Sequence, residues 1–231
     1  MTSTRRCSIV VLVSLLALAA CGGSAKKVDP AADLALAKSA VLTAADVPGY
    51  TGSPHTSSDD IPAAAKKDFA TCMKVPTTIF DDTPGAQKAD SPDFAKGEAQ
   101  VSNSIEIDPN KSDIDKGWSQ ISKQEAADCL QKLFQSLIAS GANAAQGVTF
   151  GPASVTRFDL GIGDRSVGYA VKLSVSATGG KSAVFYADLV FLPRDRAGLE
   201  FDFLDVGAPI NRTFETSLVQ AVYDRVGTKA K

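Results

Sequence analysis

Few residues in this chain of 231 are equipped for chemistry, since it holds 1 His and 4 Cys. His55 lies in a polar stretch, Thr51–Asp60, with Ser53, Ser57, Asp59 and Asp60 close by. A Ser–His–Asp set needs an oriented base and an oxyanion hole on a rigid scaffold. Neighbours in one loop supply neither, so His55 reads as a solvated loop residue. Asp108-x-Asn110-x-Ser112-Asp113-x-Asp115 has the alternating oxygens of a calcium loop. An EF-hand places Gly at the sixth position and Glu at the twelfth, where this chain has Asp113 and Ser119. Aspartates complementing the dipole of a helix N-terminus explain the run better. Gly161-Ile162-Gly163 lacks the third glycine of a dinucleotide fingerprint and joins two strands, so it reads as a turn. Ser24-x-x-Lys27 matches a penicillin-site triplet but has no strand or helix to hold it. Asn211-Arg212-Thr213 fits N-x-T and reads as a helix start. The pairs Asp59/Asp60 and Asp81/Asp82 fall in loops, whereas acid and base need environments that push their pKa values apart. Trp118, Tyr169, Tyr186 and Phe185 are expected in the core, although a ligand pocket would use the same types. The residues therefore predict no catalytic group, no cofactor and no metal site.

The cysteines say more. Met1–Arg6 ends in Arg5 and Arg6, and an apolar run follows from Cys7 to Ala20. At about 14 residues it is short of the roughly 20 that span a bilayer, so residues 1–20 read as a secretory signal peptide. Leu18-Ala19-Ala20-Cys21 resembles the bacterial lipobox, in which the cysteine is acylated and becomes the mature N-terminus. Each buried CH₂ contributes ~0.8 kcal/mol, so two or three chains on Cys21 anchor stably where one does not. Residues 21–33 are then the lipidated N-terminus and a polar tether, whose twelve residues after Cys21 reach at most ~40 Å. Cys72 and Cys129 remain, and in an oxidising compartment they are expected to pair. The loop of about 58 residues they close is worth ~4 kcal/mol in the chain-entropy model. Formal net charge is −2, which lacks the basic footprint of a nucleic-acid binder.

Residues 34–231 must then fold as one extracytoplasmic domain. Leu34–Val41 is ambiguous between helix and strand. Pro62 opens a helix with Ala65, Phe69, Cys72 and Met73 on one face. Asp81–Pro92 reads as a loop. Ala99, Val101, Ile105 and Ile107 alternate with Gln100, Ser102, Ser104 and Glu106 as a half-buried strand. Ile114, Trp118 and Ile121 make a short helical face weakened by Gly117. Ser122 and Glu125 form a capping box ahead of the apolar stripe Ala126–Ile138. From Val148 the period becomes two. Four strands follow: one interrupted at Gly151-Pro152, Val167–Val175, the doubly apolar Ala183–Leu192, and Leu199–Phe203. After Pro209 a last helix carries Phe214, Leu218, Ala221 and Val222. This order predicts an α+β domain, a twisted antiparallel sheet of about five or more strands packed by helices.

The lipobox, the Leu42–Gly49 segment (LTAADVPG) and a cysteine in each of two helices resemble small actinobacterial cell-envelope lipoproteins. The strand–helix–meander–helix order is similar to the extracellular sensor domain of mycobacterial PknH-type kinases. That resemblance implies an extracytoplasmic binding or sensing module and transfers no functional residue. The expected function is a non-catalytic, membrane-anchored binding or sensor module for a small-molecule or protein ligand, at the extracytoplasmic face of the cell membrane. The alternative is a carrier of a lipid or other apolar ligand between sheet and helices, suggested by the doubly apolar strand.

Overall fold

The computed structural model describes residues 28–55, 61–81, 83–141, 148–177 and 182–229. The expectations for the signal peptide and Cys21 lie outside them, as do those for Ser57, Asp59, Asp60 and Asp82.

Chain order begins with α1, Pro30–Ala40. Asp29 caps it, its carboxylate accepting from the backbone N–H of Ala31 and Ala32, and Pro30 stands where its missing N–H costs nothing. The ambiguous segment is thus helical. The last four residues of the expected tether belong to that helix, because the cap at Asp29 starts it early and Asp33 is drawn inward by an ion pair with Arg196 (2.6 Å). Strand β1 is Thr51–Ser53 and helix α2 is Ala63–Met73. Strands β2 (Gln87–Asp90), β3 (Asp93–Lys96) and β4 (Ala99–Ile107) follow. Next come α3 (Lys111–Ile121) and α4 (Ala126–Gly141). The meander is β5 (Val148–Phe158), β6 (Val167–Ala177), β7 (Ser182–Arg194) and β8 (Ala197–Val206). Helix α5, Arg212–Lys229, closes the chain. It is capped by Asn211, whose side-chain oxygen accepts from Thr213 and Phe214.

These strands make one eight-stranded antiparallel sheet, with path β1-β3-β4-β8-β7-β6-β5 and with β2 also on β4. β2 and β3 lie end to end along one edge of β4. Pro92 has no N–H to give the ladder, and the chain breaks there. The buried Ser91 bridges the break by accepting from the Asn103 N–H at its side chain and donating its own N–H to the Asn103 carbonyl. Thr51–Ser53 and Gln87–Asp90, expected as loop, are strand. They are too short for alternation to register, and partners on β3 and β4 hold them in place. The interruption at Gly151-Pro152 is a register shift between Phe150 and Ala153.

Period-two alternation feeds two cores. One face carries Val101, Ile105, Ile107, Leu199, Phe201 and Phe203 under α1 and α5. The other carries Val167 and Tyr169 under Ala65, Phe69 and Met73 of α2 and Cys129, Leu130 and Leu133 of α4. Cys72 and Cys129 are disulfide-bonded with Cα atoms 5.6 Å apart, which ties α2 to α4. The capping box is corrected. Ser122 ends α3, its N–H donating to the Trp118 carbonyl at 3.0 Å, so it cannot also begin α4, which starts at Ala126.

Candidate functional site: an acidic cleft beneath α3

The helix-covered half of the second face spans β5, β6 and β7. On its other half the side chains are polar: Ser102, Ser104 and Glu106 from β4, Glu200 and Asp202 from β8. Pairing of β4 with β8 sets Ser104 opposite Glu200 and Glu106 opposite Gly198. Pairing with β2 sets Lys88 opposite Glu106 and Asp90 opposite Ser104. Helix α3 crosses above these rungs and leaves a cleft of ≈ 240 Å³. Ile114, Gly117 and Trp118 form its roof and Phe191 part of its apolar end. Gly198 gives α3 room to approach, since a Cβ there would stand 3.2 Å from Ile114 Cδ1.

Four carboxyls line this cleft, Glu106, Asp108, Asp113 and Glu200, against the single ammonium of Lys88. Burial, then the charge of Asp202, pushes Glu200 up to about 7, with Lys88 opposing. Burial also raises Glu106, reinforced by Asp108. Asp108 is raised by burial, with Asp113 adding to it and Arg196 opposing. The two carboxyls act on one another, Asp108 favouring the protonated form of Glu106 and Glu106 the ionised form of Asp108. Asp108 is 3% exposed, and its Oδ1 has no hydrogen-bond partner among the described residues. Such an orphan costs roughly 1–3 kcal/mol. Arg196 does not relieve it, because that guanidinium donates to the Asp108 backbone carbonyl (2.7 Å) and to Asp33.

The structure separates the residues that the sequence grouped. Within the calcium-like run Asp108 enters the cleft, while Asp113 pairs with Lys116 (2.8 Å) and Asp115 with Lys111 (2.6 Å) and Arg165 (2.7 Å). Among the described residues no three His, Cys, Asp or Glu converge as metal ligands. His55 Nδ1 meets Asp93 of β3 at 2.6 Å, a partner outside its own loop. The Ser53 hydroxyl turns away from it to the Asp93 carbonyl at 3.4 Å. Gly161 and Gly163 take left-handed φ of 68° and 62° in the β5–β6 turn. Of the aromatics, Trp118 reaches the cleft, Tyr169 is buried with its hydroxyl donating to the Ile121 carbonyl, and Phe185 and Tyr186 are half-buried on β7. In the sequence Glu106 and Glu200 are each a polar position on an alternating strand. Their signal was the interruption of a polar face of small residues by carboxylates, which means nothing until the strands are set side by side.

A second group of titratable side chains lies between β7 and α5. Arg212 pairs with Asp188 (3.2 Å) and with Glu215, and its guanidinium lies 3.4 Å from the Phe158 ring centroid. Glu215 is 0% exposed and its Oε1 is unpartnered among the described residues.

No family model and no curated protein matches the chain. Solved structures similar to it at a low level include the following two. The extracellular domain of PknH from Mycobacterium tuberculosis is 9% identical, with TM-score 0.32, covering 77% of this chain and 100% of that one. A protein of unknown function, PA94, from Pseudomonas aeruginosa is 16% identical, with TM-score 0.20, covering 52% of this chain and 67% of that one. The resemblance expected from the order of elements is met only by this weak likeness, which carries no weight for fold or function.

Proposed function

We propose that the chain is a non-catalytic extracytoplasmic binding module, lipid-anchored through Cys21, whose ligand enters the cleft beneath α3. The carrying observation is the unpartnered Asp108 Oδ1 buried in the cleft wall. Buried polar atoms nearly always have a partner, whether protein, water or ligand, and this reading gives Asp108 Oδ1 its donor from the ligand. The Cys72–Cys129 bond supports an oxidising compartment. No helix among the described residues is long and apolar enough to cross a membrane, and in this reading the lipidated cysteine supplies the attachment.

The lipid-carrier reading has less in its favour. The interfaces of α2, α4 and α5 with the sheet are filled by large side chains such as Phe69, Leu130, Phe201 and Phe203. The cleft of ≈ 240 Å³ has an acidic wall and falls below the roughly 300–1,000 Å³ of drug-sized pockets.

The test uses the full chain made in a bacterium fed an alkyne fatty acid. Native protein takes up the label and Cys21→Ser does not. The purified lipoprotein is then melted with small cationic, neutral and anionic compounds, beside Gly117→Leu. Nothing lies within 4 Å of a Cβ built on Gly117, so leucine fits the helix and fills the cleft. At least one compound should raise the melting temperature of the native protein and leave the variant unmoved. An unlabelled native chain overturns the anchoring, and identical responses of native and variant overturn the cleft as the binding site.

A further inference from the structure

Resting on that reading, we infer that the ligand is a small organic cation, an alkylamine or alkylguanidinium, with its head among Glu106, Asp108 and Glu200 and its stem against Ile114 and Trp118.

Three features of the cleft select this class. Charge comes first: Asp108 and, as they ionise, Glu106 and Glu200 face the single lining ammonium of Lys88, while Asp113 is paired with Lys116, which favours a cation over an anion. The geometry of acceptors comes second. Asp108 Oδ1 is buried without a donor, and Glu106 and Glu200 reach the same face from adjacent strands, one on each side of the Ser104–Glu200 and Glu106–Gly198 rungs. Such diagonal neighbours stand about 7–8 Å apart, a spacing that one head with several N–H donors can bridge. The acceptors are spread over two strands and a turn, which suits a polyatomic head and explains why no triad of metal ligands forms among the described residues. The roof is the third feature. Trp118 and Ile114 offer an apolar and aromatic surface, and a cation beside an indole is favourable. A cavity of ≈ 240 Å³ exceeds the roughly 150 Å³ that takes up benzene, so a head with a stem of a few carbons fits.

Protons accompany the ligand. Around the three carboxyls stand Thr83, Lys88 and Asp90 from the β2 side, Asp113 on α3, Arg196 before β8 and Asp202 on β8. His55, two residues beyond β1, and Asp93 of β3 act on Asp202. In that setting the three carboxyls hold protons above the usual carboxylate range. A cation favours their ionised forms, so binding expels protons and tightens as pH rises through neutrality, while an amine near the usual pKa of about 10.4 stays charged.

The experiment is titration calorimetry on the full-length lipoprotein in detergent, with n-butylammonium, 1-pentanol and pentanoate as matched cation, neutral and anion. Butylammonium alone should bind, more tightly at pH 8 than at pH 5.5, with a heat at pH 8 that differs between phosphate and HEPES because protons are released. Glu200→Gln copies a protonated carboxyl and Asp108→Asn removes a carboxylate at nearly constant size, and both should weaken butylammonium by at least about tenfold. If pentanol or pentanoate binds as well as the amine and Gly117→Leu abolishes it, the cation inference falls and the binding cleft stands. If none of the three binds, the inference falls; if Gly117→Leu also leaves every thermal response unchanged, the proposed function falls with it. Unchanged amine affinity in Asp108→Asn and Glu200→Gln, or affinity that does not rise with pH in the native protein, also overturns it.

Discussion

Glu215→Gln is the sharpest perturbation of the scaffold behind the cleft. Glu215 and Asp188, both buried, share one guanidinium, Arg212, whose side chain is 44% exposed. Both carboxyls ionised would leave a net negative charge there, and Glu215 Oε1 would have no donor. Burial first, then the charge of Asp188, pushes Glu215 from 4.5 up to about 8, with Arg212 opposing. Its folded pKa therefore lies above the unfolded one. The folded chain keeps a proton that the unfolded chain loses, so this stabilisation is complete below about pH 4.5 and is lost as pH rises towards 8. The slope is about 1.4 kcal/mol for each pH unit, a few kcal/mol across the window. Glutamine copies the protonated carboxyl and does not titrate. Urea denaturation of native and variant at pH 5, 6.5 and 8 reads the difference. The two should be close at pH 5, and the variant should gain on the native protein as pH rises. Equal pH slopes, or a variant that falls further behind as pH rises, would refute the assignment of a proton to Glu215.

Two further changes test the fold. Replacing Cys72 and Cys129 together by alanine should lower stability in urea by ~4 kcal/mol, from the entropy of the loop they close. A loss under about 1 kcal/mol would mean that α2 and α4 dock without the bond. Gly168 of β6 faces Phe158 of β5, and a Cβ there would stand 2.1 Å from the Phe158 ring. Gly168→Ala should cost roughly 1–3 kcal/mol or more by overpacking, and Phe158→Leu should recover part of it in a double-mutant cycle.

The meander was legible because Val167, Tyr169, Val171 and Leu173 alternate for longer than any competing pattern allows. Helices α2 and α4 were legible from their apolar stripes, and α5 from its start at Asn211. Alternation fails where an element is short. Nothing in Thr51–Ser53 or Gln87–Asp90 marks a strand apart from the neighbour it pairs with. Ser122 misled because a residue suited to begin one helix was already ending another. The cleft was out of reach for a different reason. Glu106 and Glu200 lie far apart in the chain, and each is an ordinary polar residue on an alternating strand. Only the non-local register of β4 against β8 sets them on one face, and no local pattern encodes that register.

The early start of α1 has a consequence for where the cleft works. Asp33, in the first turn of α1, grips Arg196, and Arg196 holds the backbone of Asp108 in the cleft wall. The start of α1 is therefore two contacts from the cleft wall. Under the proposed anchoring, the leash from Cys21 to Pro30 has nine steps that reach at most about 30 Å. That reach is about three Debye lengths at physiological salt, so the leash would tie the domain to the membrane while leaving its cleft open to bulk solvent as well as to the cations gathered against anionic headgroups.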